Sequence, residues 1–196
     1  MTAPDWHHLA ATKDSTEREF LSDEIFAGAS ERFVRTLLDE IDQEFHVLVT
    51  QARRLADAYW RFNRMTREEG GKENQGYFGT RVRVIKKTLS IEWFINTTYI
   101  DKESPDGKRK VNSDYISRGT KKGSWTYPPS AFRRAKDWER EAIEDLEPQY
   151  GVIRERAAKL TLLRREILKY VKLSGLSLAT ESDDEGEEDA ETTDAS

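Results

Sequence analysis

Two long apolar stripes at helical spacing, separated by a stretch that alternates at period two, restrict this chain's fold more than any other feature. Val34, Leu37, Ile41, Phe45, Leu48, Ala52, Leu55, Tyr59 and Phe62 recur every three or four positions, a coiled-coil-like pattern with one stutter. The spacing predicts a helix from an N-cap at Ser30, with Glu31 at the positive end of the dipole, to the pair Gly70-Gly71. About 40 residues at 1.5 Å each would make it roughly 60 Å long. The second stripe comprises Phe132, Ala135, Trp138, Ala142, Leu146, Ile153, Ala157, Leu160, Ile167 and Tyr170. It predicts a helix from Ser130, after the stop at Pro128-Pro129, to a cap at Gly175. Pro148, with Gly151 three residues on, is expected to kink or split it.

Between the stripes, GTRVRVIKKTLSIEWFINTTYI at 79–100 changes period. Arg81, Arg83 and Lys87 face one way and Val82 and Val84 the other, while Leu89, Ile91, Trp93, Ile95 and Tyr99 share the face expected to be buried. DKESPDGK is a turn, and RKVNSDYI reads as a third strand with Val111 and Tyr115 inward and Lys110 outward. Three strands joined this way form an antiparallel meander, packed on one face and wet on the other. Neither helical stripe can stay in water, so the two bury each other, with a homodimer as a further way to cover them. The expected fold class is α+β and mostly helical. It is an antiparallel long-helix hairpin with a small three-stranded antiparallel sheet inserted at its tip, at about residues 77–127. Residues 1–29 read as a disordered acidic leader, 30–175 as the folded part, and 176–196 as a disordered acidic tail.

Composition narrows the function classes. The 196 residues contain no cysteine, which removes disulfides and thiolate zinc sites. The chain has no apolar run of membrane-spanning length and no signal-peptide pattern, so the reading is a cytoplasmic protein. His7-His8 in the leader make a poor metal site, and His46 stands alone in mid-helix. GKENQGYFG lacks the Gly-Lys-Ser/Thr of a phosphate loop, and the carboxylates read as solvated helix faces. No catalytic residue, metal or cofactor is implied.

The net charge of −5 conceals an asymmetry: residues 81–136 carry +9 and residues 181–196 carry −9. The local field decides what binds. Arg81, Arg83, Lys86, Lys87, Lys108, Arg109, Lys110, Arg118, Lys121, Lys122, Arg133 and Arg134 crowd the insert and the start of the second helix. An antiparallel ribbon fits the DNA major groove, lysines and arginines beside it hold phosphates, and Trp125 and Tyr127 can stack on unpaired bases. The other reading is that the positive loops keep the insert soluble, with Trp125 and Tyr127 capping the core. Trp93, alternating with Ile91 and Ile95, is assigned to the core. The acidic tail either competes with phosphates for the basic insert or serves solubility alone.

GYFGTRVRV, SIEWFIN, SDYISRG and YPPSAFRRAKDWE, within about Ala52 to Leu163, resemble the MobI family of conjugative-transfer accessory proteins. The matching positions are Tyr77, Phe78, Arg81, Arg83, Glu92, Trp93, Tyr115, Tyr127, Phe132, Trp138 and Glu139. The resemblance implies a non-enzymatic factor that acts with a relaxase at a transfer origin of a bacterial mobile element, and with the basic insert the reading is a DNA-binding accessory factor. The alternative reading is a coiled-coil scaffold whose basic tip meets an acidic protein surface.

Overall fold

The computed structural model describes residues 4–13, 15–100, 109–119 and 124–178, and the side chains of all of these but 72, 98–100 and 109–111. Its elements are α1 (Trp6–Ala11), α2 (Thr16–Glu19), α3 (Asp23–Gly70), β1 (Phe78–Ile85), β2 (Thr88–Ile100), β3 (Arg109–Tyr115) and α4 (Asp137–Leu173). Single 3-10 turns at Gly71–Asn74 and Pro129–Phe132 lead into β1 and α4. The fold is mostly helical with one small antiparallel sheet, as the change of period predicts. The chain divides into two units, 36–167 on one hand and 1–35 with 168–196 on the other.

Within 36–167 the helices run antiparallel. Asp42 and Glu44 of α3 pair with Arg164 and Arg156 of α4, while Phe62 meets Trp138. The partner number falls as the α3 number rises. The sheet does not stand beyond the ends of these helices. Its apolar face lies along them, with Trp93 packed edge-on against Tyr59 and Tyr150 at ring centroid distances of 5.1 and 5.9 Å. The reason is burial: Ile91 and Trp93 have no cover unless α3 and α4 supply it. Leu48, Ala52, Leu55 and Tyr59 of α3, Phe78, Leu89, Ile91 and Trp93 of the sheet, and Ile143, Leu146, Tyr150, Ile153 and Ala157 of α4 share one core.

Three local expectations change. α3 opens at Asp23, not Ser30, and the leader before it contains the short helices α1 and α2, where Trp6 packs on Phe26. α4 opens at Asp137, because Ser130 to Phe132 form a 3-10 turn that tucks Phe132 into the core. Pro148 does not split α4. An interior proline costs a helix about 3 kcal/mol, and here Leu146, Glu147 and Tyr150 are buried on either side of it and hold the helix together. Gly151 is a packing glycine instead of a break, since a Cβ there would come within 2.5 Å of the Thr126 methyl.

Both helix ends follow the glycine pattern. Gly71 at φ +62° follows α3. Gly175 at φ +64° closes α4 in a Schellman motif, with Leu176 N–H donating to Val171 O and Gly175 N–H to Lys172 O. The tail beyond Leu178 lies outside the described residues.

Two phenols in this core set an alkaline limit. Burial pushes Tyr150 up to about 12, and burial followed by the Glu139 charge also raises Tyr59. Both stay neutral in the fold, whereas an unfolded tyrosine ionises near pH 10. Both contributions are therefore complete below about pH 10, and that of Tyr150 is lost as pH climbs through about 12. Urea midpoints from about pH 9 to about 11.5 are expected to fall, and to fall less in Tyr150→Phe. Equal slopes in the two proteins would remove Tyr150 as a cause.

Candidate nucleic-acid interface

β1 and β2 pair Arg81 with Glu92, Arg83 with Ser90 and Gly79 with Phe94, and β2 and β3 pair Phe94 with Tyr115. Cross-strand partners point to the same face. Arg81, Arg83, Glu92, Phe94 and Tyr115 therefore line the face away from Ile91 and Trp93. Tyr115 was expected inward; register places it outward, 48% exposed. The expectations for Val111, Lys110 and Tyr99 fall on side chains outside those described.

The outer face is held in place by its own contacts. Arg81 Nη1 donates to the Tyr115 hydroxyl at 3.0 Å, crossing over Phe94 with its guanidinium 5.9 Å from that ring. The Arg83 guanidinium lies 5.5 Å from the Tyr115 ring and forms a 2.6 Å ion pair with Glu92. Ser90 Oγ donates to the other Glu92 oxygen at 2.9 Å. Cation–π contacts of this kind fix a guanidinium plane without consuming its charge. Phe94 is itself covered: Gly79 lies beneath its ring, where a Cβ would come within 2.4 Å, and Trp60 of α3 packs on it at 6.3 Å. Trp60 Nε1 also donates to Thr80 O, tying α3 to the edge of β1.

Lys86 and Lys87 form the whole β1–β2 connection, since Ile85 pairs with Thr88. Both have positive φ, 47° and 59°, and both are exposed. A second cationic cluster precedes α4, where Arg134 and Lys136 flank the Tyr77 ring at 5.7 and 5.5 Å. Arg133 is exposed beside them, and both arginines lie in the turn ahead of the helix instead of in its first turn. Arg118 is half-buried in the loop after β3. Arg109 and Lys110 are placed by their backbones, opposite Ile100 and Tyr99, whereas Lys108, Lys121 and Lys122 lie outside the described residues.

The two aromatic candidates behave differently from the arginines. Tyr127 is 6% exposed, with its ring against Phe132 and 5.1 Å from the Arg154 guanidinium, so it belongs to the core and presents no stacking face. Burial raises the Tyr127 phenol as well. Trp125 is half-buried, and its carbonyl accepts from Arg154 Nη1 at 2.8 Å.

Sequence reasoning missed the groups that position this face. Glu147 and Arg154, 5% and 4% exposed, form a buried pair at 2.7 Å. Glu147 accepts from Trp93 Nε1 at 2.6 Å and from Tyr127 N–H at 2.8 Å, and Arg154 Nε donates to Ile91 O at 3.1 Å. One ion pair thus joins α4, β2 and the loop before α4. Glu139, fully buried, accepts from Phe78 N–H at 2.8 Å and from Lys136 N–H at 3.1 Å, joining the start of β1 to the start of α4. A signal was present: Glu147 and Arg154 are seven residues apart and fall on the apolar stripe beside Leu146, Tyr150 and Ile153. Among the described residues no cluster of three metal-ligating side chains occurs, and no helix is long and apolar enough to cross a membrane.

Residues 48–168 match the family model described as MobI protein. That span contains α3 from Leu48, the whole sheet and α4 to Leu168. No curated protein and no solved structure matches the chain.

Proposed function

The chain belongs to the MobI family, which gives it a mobilisation-related role, and we propose that it fills this role as a non-enzymatic, DNA-binding accessory factor in the bacterial cytoplasm. In this reading it binds the transfer origin through the outer face of the sheet and positions a relaxase there. The observation that carries the reading is the arrangement of Arg81 and Arg83. Both sit on the sheet face opposite the core, ordered by Tyr115 and Phe94, with Lys86 and Lys87 at the end of the same ribbon. A two-stranded ribbon with cationic side chains on one face suits the major groove. The covered Tyr127 and half-covered Trp125 favour a duplex over stacked single strands.

A protein-facing role for the helices has its own support. Val152, Leu162 and Leu163 of α4 and Val47 of α3 are 44–57% exposed, apolar surface of the kind that meets a partner such as the relaxase or a second copy. If that surface were the whole function, the chain would be a scaffold whose basic face meets an acidic protein.

Fluorescence anisotropy separates these readings. A labelled duplex from the transfer origin of the chain's own element is titrated against a scrambled duplex at two salt concentrations. Tighter binding to the native duplex, weakening steeply with salt, is expected. Arg81→Ala with Arg83→Ala should weaken it about 10- to 100-fold and leave the fold intact, because exposed ion pairs contribute about 0–1 kcal/mol. Undiminished binding by the double variant would remove the sheet face from the interface. Equal, weak binding of both duplexes by the unaltered protein would favour the scaffold.

A further inference from the structure

We infer that the C-terminal half of α3 carries a second duplex-DNA contact, a stripe of arginines continuous with the outer face of the sheet. The inference rests on the DNA-binding reading above and extends it to an element that reading does not use.

Arg53, Trp60, Arg64 and Arg67 follow one another at intervals of seven, four and three residues, which places them on a single side of the helix. The direction of that side is fixed by Trp60, whose ring packs on Phe94 and whose indole N–H reaches Thr80 O. Phe94 in turn lies beneath the Arg81 guanidinium. The sheet arginines and the α3 arginines therefore border the same aromatic pair, and Arg61 flanks the stripe one residue on from Trp60.

These arginines are exposed and unpaired. Among the described residues, no ion pair or hydrogen bond engages the Arg53, Arg61, Arg64 or Arg67 side chain. Asp57, four residues from Arg53 and from Arg61, and Glu68, four residues from Arg64, lie among them, and neither forms an ion pair with these arginines. An ordinary solvated helix face alternates its charges and pairs them. Other parts of α3 follow that habit: Glu31 pairs with Arg35 four residues on, and Asp42 and Glu44 pair with α4. The pairing stops where α3 reaches the sheet.

Counterion release makes unpaired arginines of this kind effective phosphate ligands. Fourteen residues separate Arg53 from Arg67, about 21 Å of helix at 1.5 Å per residue. That exceeds the ~12 Å width of the major groove, so a ribbon in the groove and a helix alongside can hold phosphates on both walls. Duplex DNA is the ligand to which this geometry points.

The test uses the full chain with Arg53, Arg64 and Arg67 all changed to Gln, and separately all to Lys. Duplex affinity is measured against salt, and folding is followed by thermal melting. The glutamine variant is expected to melt like the parent and to lower the slope of log K against log salt by about 2–3 units, at ~0.9 per phosphate contact. The lysine variant should keep most of the slope. A fall of less than about one unit in the glutamine variant, or an equal fall in the lysine variant, would overturn the inference. So would tighter binding to a single strand of the same sequence. Loss of slope in the Arg81/Arg83 variant alone would remove the α3 stripe and leave the DNA-binding reading standing. No duplex binding by the unaltered protein would remove both.

Discussion

Replacing Arg154 with alanine is expected to lower the unfolding free energy by about 3–5 kcal/mol, the range for breaking a buried ion pair from one side. Arg154 is 4% exposed, and its guanidinium satisfies Glu147, Ile91 O and Trp125 O at once. It also lies between the Tyr127 and Tyr150 rings at 5.1 and 5.5 Å. Alanine leaves a buried carboxylate with its counter-charge removed, two carbonyls without a donor, and a void between two aromatic rings. A paired replacement, Glu147→Leu with Arg154→Met, is not expected to restore stability. Such swaps succeed where the ion pair serves only itself, but here Trp93 Nε1 and Tyr127 N–H would lose their acceptor. Urea denaturation of the single and double variants measures both effects. A loss below about 1 kcal/mol in Arg154→Ala would mean that water reaches the pair and that the loop carrying Trp125 is held by something else.

Changing Lys86 to Asn together with Lys87 to Gly should move stability and DNA affinity in opposite directions. A two-residue hairpin connection with positive φ at both positions is a type I′ turn, for which Asn-Gly is the preferred pair. A side chain with an ordinary Cβ costs roughly 1–2 kcal/mol in the left-handed region. Glycine at 87 removes that strain and asparagine at 86 lessens it, so the substitution is expected to stabilise the chain by about 1–3 kcal/mol. It also removes two positive charges from the end of the ribbon. If both lysines meet phosphates, duplex affinity near 0.1 M salt falls about tenfold for each, and the salt slope falls by about 2 units. Stability that rises while affinity holds would confine the interface to Arg81, Arg83 and their neighbours. Unchanged stability would show that the turn is not strained.

The stripes and the change of period carried most of the fold. Local pattern suffices for Leu48, Ala52, Leu55 and Tyr59 on one helix, for Leu146, Ile153 and Ala157 on the other, and for the alternation of Leu89, Ile91 and Trp93, because each repeats at the period of its own element. The same pattern misplaced the ends. Asp137 and the intact helix through Pro148 depend on what Phe132 and Tyr150 pack against, which lies far off in sequence, whereas the start at Asp23 is set locally, with Ile25 and Phe26 N–H donating to Ser22 O. Tyr115 was misread for a related reason: β3 has too few apolar residues to set its own face, so only its pairing with Phe94 decides it.

The candidate interface divides along the same line. The residues themselves state where the basic charge lies, which of Arg81, Arg83, Val82 and Val84 share a face, and that the chain resembles MobI proteins, since these depend on identity and spacing alone. Counting charge by segment hid the α3 arginines, because acidic residues between 31 and 80 balance them on paper, five of them in the stretch 31–44 ahead of Arg53. Only the tertiary structure decided that Tyr127 faces inward, that Glu139, Glu147 and Arg154 bind strands to helices, and that Trp60 packs on the Phe94 ring that Arg81 covers. Those outcomes are settled by contacts between residues 20 to 63 positions apart. Burial energy and hydrogen-bond geometry choose such contacts, and a local period carries no information about them.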